Sequence, residues 1–183
     1  MSEAERQPGL WALVREDLRS HHGDWTRPGF RALAVYRFGV WRMKVRPKLV
    51  RAPLSLLYCL LHVYVRNHYG IELPYSAKVG RGVVIEHQGA IVIHGDSVIG
   101  DRCVIRQGVT LGNKSEAAPY DAPHLEAGVS VGAGAELLGA IRIGEGASIG
   151  ANAVVVKDVP AQANAVGIPA RLLGADRAEE PPA

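Results

Sequence analysis

Few side chains in this 183-residue chain stand where reactive chemistry is available to them. Three histidines, His87, His94 and His124, fall among short aliphatic repeats, and two cysteines, Cys59 and Cys103, fall in apolar surroundings. An imidazole is suited to take and return a proton near neutral pH, because its ordinary pKa of about 6.5 lies in that range. Three imidazoles can also hold zinc with one position open, but no carboxylate–histidine spacing here marks a tetrahedral site, and no metal is expected. Cys103 and Cys59 are expected to be packing residues, as free cysteines usually are. His94 follows an aliphatic anchor and reads as exposed. His21, His22, His62 and His68 read as structural or solvated. His87 is set apart by the pattern around it.

From Leu73 an aliphatic residue returns every sixth position: Leu73, Val79, Ile85, Ile93, Ile99, Ile105 and Leu111, then Leu125, Val131, Leu137, Ile143, Ile149 and Val155. A helix repeats near 3.6 residues and a strand every second residue, so neither explains this interval. A six-residue period marks a stacked hexapeptide β-helix. Each hexad is one short strand plus a corner, and three hexads close a triangular coil. The anchors point inward. A small or branched residue four places on (Ala77, Val83, Ser97, Cys103, Val109, Val129, Ala135, Ile141, Ala147, Ala153, Val159) fills beside them. Glycines directly after anchors, such as Gly80, Gly100, Gly132 and Gly144, are expected to permit corners of unusual φ. One coil cannot bury its apolar face but a stack can, and thirteen anchors give just over four coils.

The rhythm breaks twice. Ile85 to Ile93 spans eight residues, and the extra length contains "EHQGA" with His87. Leu111 to Leu125 spans fourteen, across the polar stretch "GNKSEAAPYDAPH". Insertions must leave the prism as bulges or loops, and such loops often carry function. The chain closes with "VGIPARLL", a capped half-coil, and "ADRAEEPPA", which reads as a disordered acidic tail over 174–183.

Residues 1–70 read as a helical N-terminal arm and 71–173 as the β-helix domain. Residues 9–20 and 28–44 have helical spacing, with Phe30, Leu33, Ala34, Phe38 and Trp41 able to share a face. The apolar run Pro53 to Val65 is too short to span a bilayer, which takes about 20 residues, and is expected to be a buried core helix, with interfacial docking as the alternative. Residues 1–70 hold 12 Lys and Arg against 5 Asp and Glu, while 71–183 hold 9 against 13. The basic arm reads as a solvated helical element that allows peripheral membrane contact, and no nucleic-acid partner is expected. The charged start lacks a signal-peptide core, and two unpaired cysteines fit a reducing compartment, so a cytoplasmic location is expected, extending to the inner membrane face.

The string "GVVIEHQGAIVIHGDSVIGDRCVIRQGVTLG", the hexads after it, the close "VGIPARLL" and the helical "GFRALAVYRFGVW" together resemble the serine acetyltransferases. These are hexapeptide-repeat acyltransferases built on a left-handed parallel β-helix. The resemblance runs from about residue 15 to 173, with a shorter N-terminal part. It implies a homotrimer with active sites between neighbouring prisms and acetyl-CoA as donor. His87 matches the catalytic base, and Glu72 the acidic residue that orients it, where Asp is usual. Gly112, Ala133 and Ala151 match positions lining the CoA groove, and Arg171 is a candidate for a CoA phosphate.

Acetyl transfer to a hydroxyl fits this set. The imidazole takes the hydroxyl proton, the carboxylate fixes its tautomer, and backbone N–H groups near Gly112 would meet the oxyanion. Three departures concern the acceptor. Glu86 stands where serine-specific members have Asp, and Asp121 and Ala122 stand where they carry an Arg–His pair before Pro123. Asp121 would repel a free carboxylate rather than clamp it. His124 is a candidate substitute, although its place differs. The expected acceptor is therefore a sugar or polysaccharide-precursor hydroxyl, with L-serine as the alternative. A zinc enzyme of the carbonic-anhydrase type, built on His87, His94 and His124, is a remote third.

Overall fold

The computed structural model describes residues 8–173, so the expected tail lies outside it. Three helices come first: α1 (Leu10–Ser20), α2 (Pro28–Arg42) and α3 (Lys48–Tyr69). Pro28 opens α2 at a position where its fixed φ suits a helix and its missing N–H costs nothing. Gly70 ends α3 in the left-handed region, at φ 63°, and donates its N–H to the Arg66 carbonyl.

Helix α3 departs from expectation. The apolar run is part of a 22-residue helix, which by length and composition suffices to cross a membrane. Its residues are mostly exposed rather than buried: Leu49, Leu56 and Leu60 all face outward, and so does Cys59. Only Tyr58, Val65 and Tyr69, spaced for one helical face, are buried. Pro53 does not interrupt the helix, and it lies on the outer side, where a carbonyl without a backbone donor is open to solvent. In α2 the buried face carries Phe30, Leu33 and Tyr36, whereas Ala34, Phe38 and Trp41 line an open groove against α1.

The rest of the described chain is the expected three-sided parallel β-helix. The first coil holds β1 (Ile71–Glu72), β2 (Lys78–Val79) and β3 (Val84–Ile85). The second holds β4 (Ile91–Ile93), β5 (Val98–Ile99) and β6 (Val104–Ile105), and the third β7 (Thr110–Gly112), β8 (His124–Leu125) and β9 (Ser130–Val131). The fourth holds β10 (Glu136–Leu138), β11 (Arg142–Ile143) and β12 (Ser148–Ile149). Strands β13 (Val154–Val155), β14 (Asn164–Val166) and β15 (Arg171–Leu172) finish the stack. Strands β1, β4, β7, β10 and β13 form the first face, β2, β5, β8 and β11 the second, and β3, β6, β9, β12, β14 and β15 the third. Pairing is parallel from coil to coil except at the end, where β15 folds back antiparallel on β14.

Register follows the anchors: Ile93 pairs with Leu111, Leu111 with Leu137, and Ile99 with Leu125. Every anchor is buried except Val79, and every small-slot residue is buried, Cys103 included. Full burial of an Ile, Leu or Val side chain stabilises by about 1.5–3 kcal/mol, so the stacked anchors are the main source of stability.

The glycines after anchors serve a different purpose from the one expected. The left-handed corner residues lie two places further on, for example Gly108 (φ 73°), Arg102 (φ 56°) and Asn152 (φ 55°). Gly80, Gly100 and Gly132 instead lie against the next coil. A Cβ on Gly132 would sit 2.6 Å from the Ala151 nitrogen, and one on Gly100 2.5 Å from the Glu126 carbonyl carbon. These positions need Gly for close approach of backbone to backbone.

The helices close the open end of the first coil. Tyr36 Oη donates to the Ala77 carbonyl at 2.8 Å and accepts the Val79 N–H at 3.1 Å. Arg37 donates to the Val79 and Gly80 carbonyls at 2.9 and 2.6 Å. Asp17 of α1 holds that guanidinium from behind, Oδ2 to Nε at 2.9 Å and Oδ1 to Nη2 at 3.2 Å, with both side chains buried.

Candidate active site

Two backbone hydrogen bonds locate the first insertion. The Glu86 N–H donates to Ile105 (3.0 Å), so Glu86 keeps the regular register above Arg106. The Gly108 N–H donates to Gly89 (2.8 Å), the bond that Gly134 makes to Gln107 and Asn152 to Ala133 one and two coils on. Gly89, Gln107, Ala133 and, by strand register, Ala151 therefore share one corner column. The two extra residues are His87 and Gln88, pushed outward from the corner between the third and first faces, and both are exposed.

Several elements fix this corner. The Gly89 N–H donates to Tyr69 and the Ile91 N–H to Gly70, each at 2.9 Å, tying the insertion to the end of α3. Gly29 lets α2 lie against Ile85, whose Cβ would be 2.8 Å from an added side chain. Fully buried His21 bridges α1 to β3: its Nδ1 lies 2.7 Å from the Asp17 carbonyl and its Nε2 3.3 Å from the Ile85 nitrogen. Since a carbonyl only accepts and an N–H only donates, Nδ1 carries the proton and the ring is neutral.

Beside His87, Glu86 is not free. Its Oε2 pairs with Arg106 Nε at 2.7 Å, and Arg106 also donates to Ser130 Oγ at 3.2 Å. Sequence reasoning missed Arg106. The signal was available, because the aliphatic register that stacks Ile85 on Ile105 also stacks the residues after them. For His21, expected to be structural or solvated, the structure shows the structural role, a buried bridge from α1 to β3 that nothing in its local sequence specifies.

The remaining candidates fall in three places. Glu72 sits half-buried on the outer side of β1, in register with Val92, and forms no hydrogen bond or ion pair with His87. It faces the field of His62 instead, whose pKa its charge raises against the larger lowering by burial and Arg66. Ala133 and Ala151 lie on the corner column of His87. Gly112 ends β7 at the next corner, where the exposed loop with Asp121 begins. His124 is exposed on β8, on the face opposite the His87 corner. Arg171 lies exposed on the terminal strand and helps to line a cavity of about 490 Å³. One chain thus unites His87, Glu86, Ala133 and Ala151 and leaves Gly112, Asp121 and His124 apart. The clefts of about 380 and 390 Å³ between the helices and the first coil, that of about 530 Å³ among the three helices, and that beside Arg171 are not lined by His87.

Among the described residues no three His, Cys, Asp or Glu side chains gather to hold a metal. His94 is engaged with Asp96, accepting its N–H at 3.2 Å. Cys103 donates its thiol to the Glu126 carbonyl, and burial raises its pKa, which suits packing rather than nucleophilic attack.

No family model matches the chain. It is 40% identical over 146 residues to the serine acetyltransferase of Synechococcus elongatus, covering 80% of this chain and 57% of that one. The chain spans little more than half the length of the curated relatives it matches. A soybean serine acetyltransferase solved in complex with serine superposes with a TM-score of 0.77 at 33% identity, covering 91% of this chain and 70% of that one. The Brucella abortus serine acetyltransferase in complex with coenzyme A superposes with a TM-score of 0.79 at 26% identity, covering 94% and 70%.

Proposed function

The chain belongs to the serine acetyltransferase family of hexapeptide-repeat acyltransferases, and from that premise we propose that it is an acetyl-CoA-dependent O-acetyltransferase. The His87 imidazole takes the proton of the acceptor hydroxyl as its oxygen attacks the thioester carbonyl. The tetrahedral intermediate collapses with cleavage of the C–S bond, and the departing CoA sulfur takes the proton back from the imidazolium. Glu72 is assigned to the other ring nitrogen, where a carboxylate fixes the tautomer and steadies the cation. Such bonds often tighten only when substrate binds. The acetyl group passes directly, without a cysteine intermediate. We place the reaction in the cytoplasm, in keeping with two cysteines that are both free.

The observation that carries this reading is the His87–Gln88 insertion, which sets an exposed imidazole above the alanines of one corner column. A homotrimer would complete the site: the His87 corner of one copy would meet the Gly112 corner of the next, bringing Asp121 and His124 with it. Ala133, Ala151 and Gly112 would line the groove for CoA, and Arg171 would meet a phosphate.

L-Serine is the leading acceptor, supported by the names of the relatives. A sugar or polysaccharide-precursor hydroxyl is the second reading, favoured by Asp121 and Ala122 in the loop and by the neutralised Glu86. Thiol release from acetyl-CoA with L-serine and with a panel of sugars tests both. Turnover with L-serine is expected, falling about 10²–10⁴-fold in kcat in His87→Ala. Turnover with sugars alone overturns the serine assignment, and undiminished turnover in His87→Ala overturns the mechanism.

A further inference from the structure

We propose that the outward side of α3, with the groove beside it, is a docking surface for an anionic lipid bilayer, on which the helix lies flat. The inference does not depend on the acetyl-transfer reading. Leu49, Pro53, Leu56, Leu60 and Tyr64 follow one another at helical spacing, and their side of the helix is the one turned away from the protein. Leu49 is 91% exposed, Leu56 64% and Leu60 62%. Most amphipathic helices of a water-facing domain turn the apolar stripe inward, and this one turns it out. The stripe continues into an apolar groove lined by Leu10, Trp11, Val14, Phe38, Trp41 and Leu54. Trp11 is 73% exposed, and tryptophan favours the boundary between hydrocarbon and water.

Charge decides between occupants. From Trp25 to Ile71 the chain holds nine Lys and Arg and no Asp or Glu. Lys44, Arg46 and Lys48 are exposed at the start of α3, beside the stripe. A second copy in a two-fold contact would offer the same surface and set like charges together with no carboxylate of Trp25 to Ile71 to pair them. An anionic bilayer supplies the opposite charge and an apolar layer at once. The helix lies on the surface rather than crossing it because its other side is held: Tyr58, Val65 and Tyr69 are buried, and Tyr58 Oη accepts the Tyr75 N–H at 3.2 Å.

The test is co-sedimentation of the full chain with vesicles of phosphatidylcholine alone and of phosphatidylcholine with about one third phosphatidylglycerol. The protein is expected to pellet with the anionic vesicles, stay in solution with the neutral ones, and shift its tryptophan emission to shorter wavelength when bound. The double variant Leu56→Glu/Leu60→Glu is expected to bind at least about tenfold less, with an unchanged thermal melt, since both residues are exposed. The triple variant Lys44→Glu/Arg46→Glu/Lys48→Glu is expected to lose the preference for anionic lipid. The proposal is overturned if the wild-type chain ignores anionic vesicles or if the leucine variant binds them equally well. It is overturned too if sedimentation velocity shows the leucine variant dissociating a larger assembly, which would make a second copy the occupant.

Discussion

Glu86 lies directly over Arg106, one coil apart on the third face, and the two close an ion pair of 2.7 Å beside the inserted His87. A carboxylate next to the proposed base would be a natural place to hold an acceptor's ammonium group, but here a guanidinium already pairs with it.

On the proposed reading, an amino-acid acceptor held by Glu86 would have to compete with Arg106. Arg106→Leu is expected to lower the KM for L-serine by at least about threefold, as the loss of a surface-exposed competing pair would allow. The KM for acetyl-CoA should not move. Initial-rate thiol release against serine concentration checks this, and an unchanged serine KM removes Glu86 from acceptor binding.

The glycines after the anchors divide into two groups. Gly132→Ala must push an added Cβ into the Ala151 backbone, and overpacking of this kind costs about 1–3 kcal/mol. At Gly112 the nearest atoms are 3.6 Å away, so Gly112→Ala should fold within about 0.5 kcal/mol of wild type. Urea unfolding distinguishes them. If Gly112 lines the donor groove, its variant raises the KM for acetyl-CoA while leaving stability alone.

Removal of the Asp17 carboxylate leaves the Arg37 guanidinium buried without its countercharge. Asp17→Ala is expected to destabilise the fold by about 3–5 kcal/mol, measured by chemical denaturation. Loss of no more than about 1 kcal/mol would mean that the Val79 and Gly80 carbonyls alone suffice for Arg37.

His62 stacks on Tyr58, and burial is the main cause that lowers its pKa from 6.5. The folded chain therefore prefers the neutral ring, and the unfolded chain binds the proton more readily. The resulting stabilisation is complete above pH 6.5 and is lost as the pH falls through the folded-state value. Thermal melts at about pH 7.5 and about pH 5.5 should differ less in His62→Gln than in the wild-type chain.

The prism was legible because its period is written in single residues: Ile93, Leu111, Leu137 and Val155 announce one face almost unaided. The same regularity exposed His87 as surplus. What did not show was whatever depends on contacts between distant elements. His21 and Arg37 reveal their work only when α1 and α2 lie on the first coil. The outward turn of α3 was invisible because an apolar run does not say which side is covered. The role of the post-anchor glycines was misread because close approach and positive φ select the same residue.

Both ends of the β-helix are finished by the chain itself. Side chains of α2 occupy the hydrogen-bonding groups of the first rung, and β15 doubles back on β14 at the last. A stack of parallel rungs without such closures would be a template for unlimited end-on growth into fibres. Replacing Tyr36 and Arg37, or ending the chain before β15, is thus a change in colloidal behaviour as much as in stability: it would turn a stopper into a seed.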